Sequence, residues 1–210
     1  MTICLSEKTN SNCAMESVSS RSAVTNMNDV SASDLSTAHA QRAKQQVASQ
    51  FSRASQSYDQ AAHIQQFSAL ELAKQLAPFT QLYFTEPNQE SGFPHWLDLG
   101  CGTGFAVPTL IEQGIHRITG ADLAHGMSLT SHQKLAHLPF HAVTADAENL
   151  PFASTCFDGI YSNLMVQWSE QVQQLFSEAS RVLKTGGLFA FATLGPRTMH
   201  ELKSAWQQVD

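Results

Sequence analysis

Apolar positions divide the chain into three textures. Half of residues 1–38 are Ser, Thr, Asn or Asp, with no aromatic residue and no periodicity. Such a segment buries too little apolar surface to offset its chain entropy, so residues 1–38 are expected to be a disordered, dispensable tail. Residues 39–94 read as an N-terminal helical cap and linker. Val47, Phe51, Ala54 and Tyr58 recur at three- and four-residue spacing and predict one helix, with Ser36 or Thr37 as its cap. Ile64, Phe67, Leu70, Ala73 and Leu76 predict a second helix that ends at Pro78. A loop with Pro87, Gly92 and Pro94 follows.

From His95 the texture alternates. Short apolar runs at 95–99, 117–121, 140–145, 156–163 and 188–194 predict five strands. Helical patterns lie between them at 105–113, 125–137 and 170–183, and a last one starts near Arg197. Thr185-Gly186-Gly187 predicts a turn into the fifth strand. Strands alternating with helices imply an α/β fold, with a parallel sheet covered by helices on both faces. Residues 95–210 form this core.

Composition narrows the class. The chain has 210 residues, enough for one domain or one domain with a tail. Apolar residues are 42% and charged residues only 14%, with a net charge of −6. That balance argues against nucleic-acid binding, which needs a basic footprint. No apolar run suggests a membrane span, and no secretory signal opens the chain. Cys4, Cys13, Cys101 and Cys156 lack metal-site spacing and read as reduced cytoplasmic thiols. His137 and His141 flank Pro139, which keeps them off one helical face, so no metal site is expected.

The sharpest signal is Leu97-Asp98-Leu99-Gly100-Cys101-Gly102-Thr103-Gly104-Phe105. An apolar strand ends in a glycine-rich turn that opens a helix. That turn places a ligand at the carboxyl end of the first parallel strand. In the dinucleotide fingerprint the third glycine comes one residue later, and no Gly-Lys-Ser/Thr is present. Asp98 beside the loop favours a cationic group over a phosphate. Asp122 closes the second strand about twenty residues on, where an acid accepts from ribose hydroxyls. Asp146 closes the third, where an acid accepts from an exocyclic amine such as that of adenine. Ribose, adenine and a cation without phosphate describe S-adenosylmethionine.

These segments, with Cys156-Phe157-Asp158 and Arg181–Gly187, resemble the ordered motifs of Rossmann-like class I S-adenosylmethionine-dependent methyltransferases. The resemblance implies a donor site of Asp98, Gly100, Cys101, Gly102, Gly104, Asp122, Asp146, Ala147 and Asn163. Three further segments narrow it. They are Phe51–Asp59, Ser162-Asn163 with Gln167-Trp168, and Thr193-Leu194-Gly195-Pro196 with Glu201-Leu202 and Ala205-Trp206. Together they resemble the malonyl-acyl carrier protein O-methyltransferases of biotin synthesis. That resemblance implies malonyl-loaded acyl carrier protein as partner and substrate, with Tyr58 near the reacting centre and Gln167 and Trp168 in the acyl pocket. Arg53, Arg181 and Arg197 are candidates to hold the substrate carboxylate, and a monomer is expected. In this fold two more strands follow the fifth. Without them the edge of 188–194 is expected to be bare, and the acceptor lid incomplete. Another small-molecule carboxyl or carbon methyltransferase, and a non-catalytic donor-binding protein, remain open as alternatives.

Overall fold

The computed structural model describes residues 2–8, 32–83 and 93–195, with positions 198, 200, 204 and 206. Six strands form one sheet: β1 (Thr2–Glu7), β2 (His95–Leu99), β3 (Arg117–Asp122), β4 (Phe140–Thr144), β5 (Phe157–Asn163) and β6 (Leu183–Thr193). Their order is β1-β6-β5-β2-β3-β4. Strands β2 to β6 are mutually parallel, and β1 runs antiparallel to β6.

The helices are α1 (Ala32–Ala54), α2 (Tyr58–Ala61), α3 (His63–Tyr83), α4 (Val107–Glu112), α5 (His125–Lys134) and α6 (Val172–Val182). Side chains alternate across the central strand, so its two faces feed separate cores. Trp96 joins Leu72 and Leu76 of α3 and Val107 and Leu110 of α4 on one face. Leu97 and Leu99 join Ala179 and Val182 of α6 on the other. The parallel sheet covered on both faces therefore forms as the alternating texture requires. No helix among the described residues is long and apolar enough to cross a membrane.

Several sequence expectations need correction. Residues 2–7 are not tail but an edge strand, with Thr2 opposite Thr193 and Glu7 opposite Leu188. The edge of 188–194 is therefore covered. Lys8 extends the pairing: its Nζ donates to the carbonyls of Ser180 (2.8 Å) and Leu183 (2.7 Å) at the end of α6. The remainder of the expected tail up to residue 31 lies outside the described residues, as does most of the helix expected from Arg197.

The first helix starts at Ala32 and stops at Ala54, where a turn over 55–57 separates it from α2, so Tyr58 belongs to the next element. Pro78 lies inside α3 instead of ending it. The stripe read on α3 is also out of phase. Ile64 and Phe67 are 73% and 64% exposed, while Leu72, Ala73 and Leu76 are buried. Steps of three fall short of a 3.6-residue turn, so a run of them drifts around the helix from solvent to core. Finally, the turn expected at Thr185–Gly187 is an irregularity within β6. There the pairing with β5 jumps from Phe157↔Leu183 to Gly159↔Leu188.

The edge strand makes a prediction. Deleting residues 1–8 should cost roughly 2–4 kcal/mol, a few net hydrogen bonds at about 1 kcal/mol each. It should also promote self-association through the bared β6 edge. Thermal melting and light scattering of the shortened chain would check this; an unchanged melting point would contradict it.

Candidate functional site

The carboxyl ends of β2, β3 and β4 open into a cavity of about 400 Å³. Its walls include Asp98, Gly100, Cys101, Gly102, Asp122, Asp146, Ala147 and Asn163 from the sheet side, and Tyr58, Gln167 and Trp168 around them. Every residue expected in the donor site, at the reacting centre or in the acyl pocket lines it except Gly104. A second cavity of similar volume lies at the opposite, amino-terminal ends of the strands, lined by His95, Arg117, Asp158 and Lys184 among others. It contains none of the expected site residues.

The glycine loop is shaped by backbone needs. Gly100 has φ +78°, and a Cβ there would collide with the Met165 side chain. Its amide and that of Cys101 both donate to the Ala121 carbonyl, at 2.7 and 3.1 Å, tying the loop to the end of β3. Gly104 has φ +74°, and a Cβ would meet Leu135 and Ser131 of the α5 region. Its role is therefore close packing behind the loop, not contact with the cavity.

A buried and a half-buried carboxylate sit side by side. Asp98 is 3% exposed, and among the described residues nothing hydrogen-bonds its carboxylate. Burial, and then the charge of Asp122, push its carboxyl up to about 7. Asp122 accepts from the amides of Gly102 (2.9 Å) and Ala124 (2.8 Å), one on each oxygen. Burial still outweighs these bonds and raises its pKa. A carboxylate has about four lone-pair positions, so each oxygen keeps an acceptor site after one bond. Burial and then the same two acids hold the Cys101 thiol well above its usual range, so it lines the wall as a neutral group.

At the third strand end, Asp146 accepts from the Glu148 amide at 2.9 Å and from Lys44 Nζ at 2.7 Å. Lys44 also pairs with Glu148. It comes from α1, and no sequence spacing links it to Asp146.

The helical wall holds further groups that the sequence left unassigned. Asp59 accepts from Thr103 Oγ1 (2.6 Å) and Lys134 Nζ (2.7 Å), which ties α2 to the glycine loop and to α5. Burial opposes its ionisation, but these two partners prevail and hold it below its usual range. Phe51, part of the apolar stripe read in the sequence, lines the cavity between Tyr58 (centroids 5.9 Å) and Trp168 (5.3 Å). Burial, then the charges of Asp122 and Asp59, push the Tyr58 phenol up, so it stays protonated.

Other expected residues have their polar atoms occupied. Asn163 accepts from Ser68 Oγ (2.6 Å) and donates to the Gln65 carbonyl (2.9 Å), which fastens α3 over the cavity. Gln167 donates to the Leu164 carbonyl (2.7 Å) and accepts from Thr193 (3.1 Å). Trp168 is half-exposed at the mouth. Arg181 is committed to Glu178 and to the carbonyls of Leu150 and Phe152, as a crossover-helix residue. Arg53 is exposed and does not line the cavity, and Arg197 lies outside the described residues.

These features agree with comparisons to known proteins. Residues 97–191 match the family described as "Methyltransferase domain". The chain is 40% identical over 177 residues to the biotin biosynthesis bifunctional protein BioHC of Teredinibacter turnerae, covering 80% of this chain and 30% of that one. It is 36% identical over 167 residues to the malonyl-[acyl-carrier protein] O-methyltransferase of Serratia marcescens, covering 80% and 60%. The chain thus spans less than two thirds of the length of either relative. A SAM-dependent methyltransferase from Thermotoga maritima superposes with a TM-score of 0.53 at 19% identity, covering 74% of this chain and 68% of that one, a likeness of fold alone. The strand order and the glycine loop at the end of β2 are those of the class I S-adenosylmethionine-dependent methyltransferase fold, and residues 97–191 match the methyltransferase domain family on it.

Proposed function

We propose that the chain binds S-adenosylmethionine in the cavity above β2–β4 and transfers its methyl group to the free carboxylate of a malonyl-acyl carrier protein thioester. The carrying observation is the arrangement of the three strand-end acids. Asp98 is buried, without a hydrogen-bond partner among the described residues, and its neighbour is a second acid. A cation completes such a site, and a phosphate would be repelled by it. Asp98 and the Gly100 turn would hold the ammonium end of the donor. The open acceptor positions of Asp122 suit two ribose hydroxyls, and Asp146 with Ala147 suits the adenine edge.

When bound, the donor supplies a methyl group activated by a sulfonium. The chain's own work is alignment and exclusion of water. A malonyl carboxylate is already ionised near neutral pH, so no residue need act as a base. The protonated Tyr58 hydroxyl is free to donate to that carboxylate, and Phe51 and Trp168 close the wall beside it. The names of the relatives from Serratia marcescens and Teredinibacter turnerae support the carrier-bound malonyl acceptor and the place in biotin synthesis.

Labelled donor tests this reading directly. The chain should methylate malonyl-loaded carrier protein about tenfold faster than free malonate, because remote binding energy improves alignment. Equal labelling of the free diacid would shift the assignment to a small-molecule carboxyl methyltransferase. Binding of the donor without transfer to any carboxylate would leave a donor-binding protein.

A further inference from the structure

Helix α1 forms one wall of the cavity. Lys44, Val47, Ala48 and Phe51 fall at positions i, i+3, i+4 and i+7, on one helical face, and all four line it. The helix is fastened at its middle and at its C-terminal end by different chemistry. Near its C-terminus the Gly126 amide of α5 donates to Ser52 Oγ at 3.1 Å, and Gln56 Nε2 in the following turn donates to Thr130 Oγ1 at 3.2 Å. A Cβ on Gly126 would lie 2.6 Å from the Ser52 carbonyl oxygen, so α1 and α5 meet there backbone to backbone. Eight residues before Ser52, the fastening is ionic: Lys44 reaches Asp146 at 2.7 Å and Glu148.

Lys44 has a well-prepared partner. The Glu148 side chain is only 5% exposed, and its other oxygen accepts from Ser169 Oγ (2.7 Å) and the Gln171 amide (3.0 Å). Burial alone would lower the Lys44 pKa and raise that of Glu148, yet the bonds of Lys44 to Asp146 and Glu148, and those of Glu148 to Lys44, Ser169 and the Gln171 amide, carry both the other way. Asp146 is the third strand-end acid. The ion pair therefore closes α1 against the end of the cavity assigned above to adenine.

We infer that Lys44 is a positioning residue for the donor: acting through Asp146 and Glu148, it latches α1 over the adenine end of the cavity and sets how fast the donor and its product leave. This rests on the reading that the cavity takes S-adenosylmethionine. Of the two fastenings, the ionic one is the more readily released.

The test is the dissociation rate of S-adenosylhomocysteine, measured by displacement at about 20 mM and about 500 mM salt, where screening lengths differ roughly fivefold. The parent should release it about threefold faster at the higher salt. Lys44→Met should release it about tenfold faster than the parent at low salt, with no further salt response, because lost charge pairs appear mainly in the off-rate. Lys44→Arg should restore slow, salt-sensitive release. If the Met variant does not fold, Glu148→Gln removes one of the two carboxylates and should give an intermediate rate with a reduced salt response. Release from Lys44→Met within twofold of the parent, or with the parent's salt response, would overturn the latch while leaving the donor site intact. A parent that binds no S-adenosylhomocysteine, with or without these substitutions, would overturn the donor reading itself and the latch with it.

Discussion

Asp122→Ala should bind S-adenosylhomocysteine about 100-fold more weakly than the parent, the largest effect expected of any single substitution in the cavity. Two losses combine. The ribose hydroxyls lose a charged acceptor, and hydrogen bonds to charged groups contribute about 1.5–3 kcal/mol. The glycine loop also loses one of its ties, because the Gly102 amide donates to this carboxylate, as does the Ala124 amide before α5. Removing the charge also relieves Asp98, whose carboxyl is raised by burial and then by Asp122. The substitution should therefore shift the pH response of binding to lower pH as well as weaken it. Calorimetric titration across pH reads both effects. A loss of less than threefold would mean that the ribose is held elsewhere.

The second large effect is that pH response. With the Asp98 carboxyl pushed up to about 7 in the ligand-free protein, a cationic donor must ionise it to bind below that pH. Affinity for S-adenosylhomocysteine should be flat above pH 7 and fall toward tenfold per unit below it. The stability of the ligand-free chain moves the opposite way. The folded carboxyl titrates near 7 and the unfolded one near 3.9, so between these values the folded state holds more protons. Stability should therefore fall as pH rises from about 4 to about 7, then level off. Asp98→Asn should abolish both trends and bind roughly 10- to 100-fold more weakly above pH 7, since an amide cannot neutralise an ammonium. A pH-independent affinity in the parent would remove Asp98 from the donor site.

Legibility in the sequence followed the range of the interactions. The central strand 95–99 was readable to the residue because a buried parallel strand is a local apolar run followed here by a glycine turn. Asp98, Asp122 and Asp146 were readable because each follows or closes such a run, and the fold gathers strand ends. β1 was not readable: it pairs Thr2 with Thr193, and a six-residue run carries no mark of a partner so distant in the chain. The same reason hid Lys44, which meets Asp146 across 102 positions. Asn163 and Gln167 show a different gap. Their place at the cavity was legible, but not the bonds to Ser68, the Gln65 carbonyl and Thr193 that occupy their side chains. Pro78 misled because local rules place proline at helix ends, while the buried Leu72, Ala73 and Leu76 hold α3 against the sheet.

The central claim is that the cavity above β2–β4 is built for a cationic adenosyl ligand without phosphate. The most direct test is calorimetric titration of the parent chain at pH 8 with S-adenosylhomocysteine, alongside NAD and ATP. One site for S-adenosylhomocysteine, and no measurable heat from NAD or ATP, is the predicted result. Binding of NAD or ATP comparable to that of S-adenosylhomocysteine, or no binding of S-adenosylhomocysteine, would contradict it.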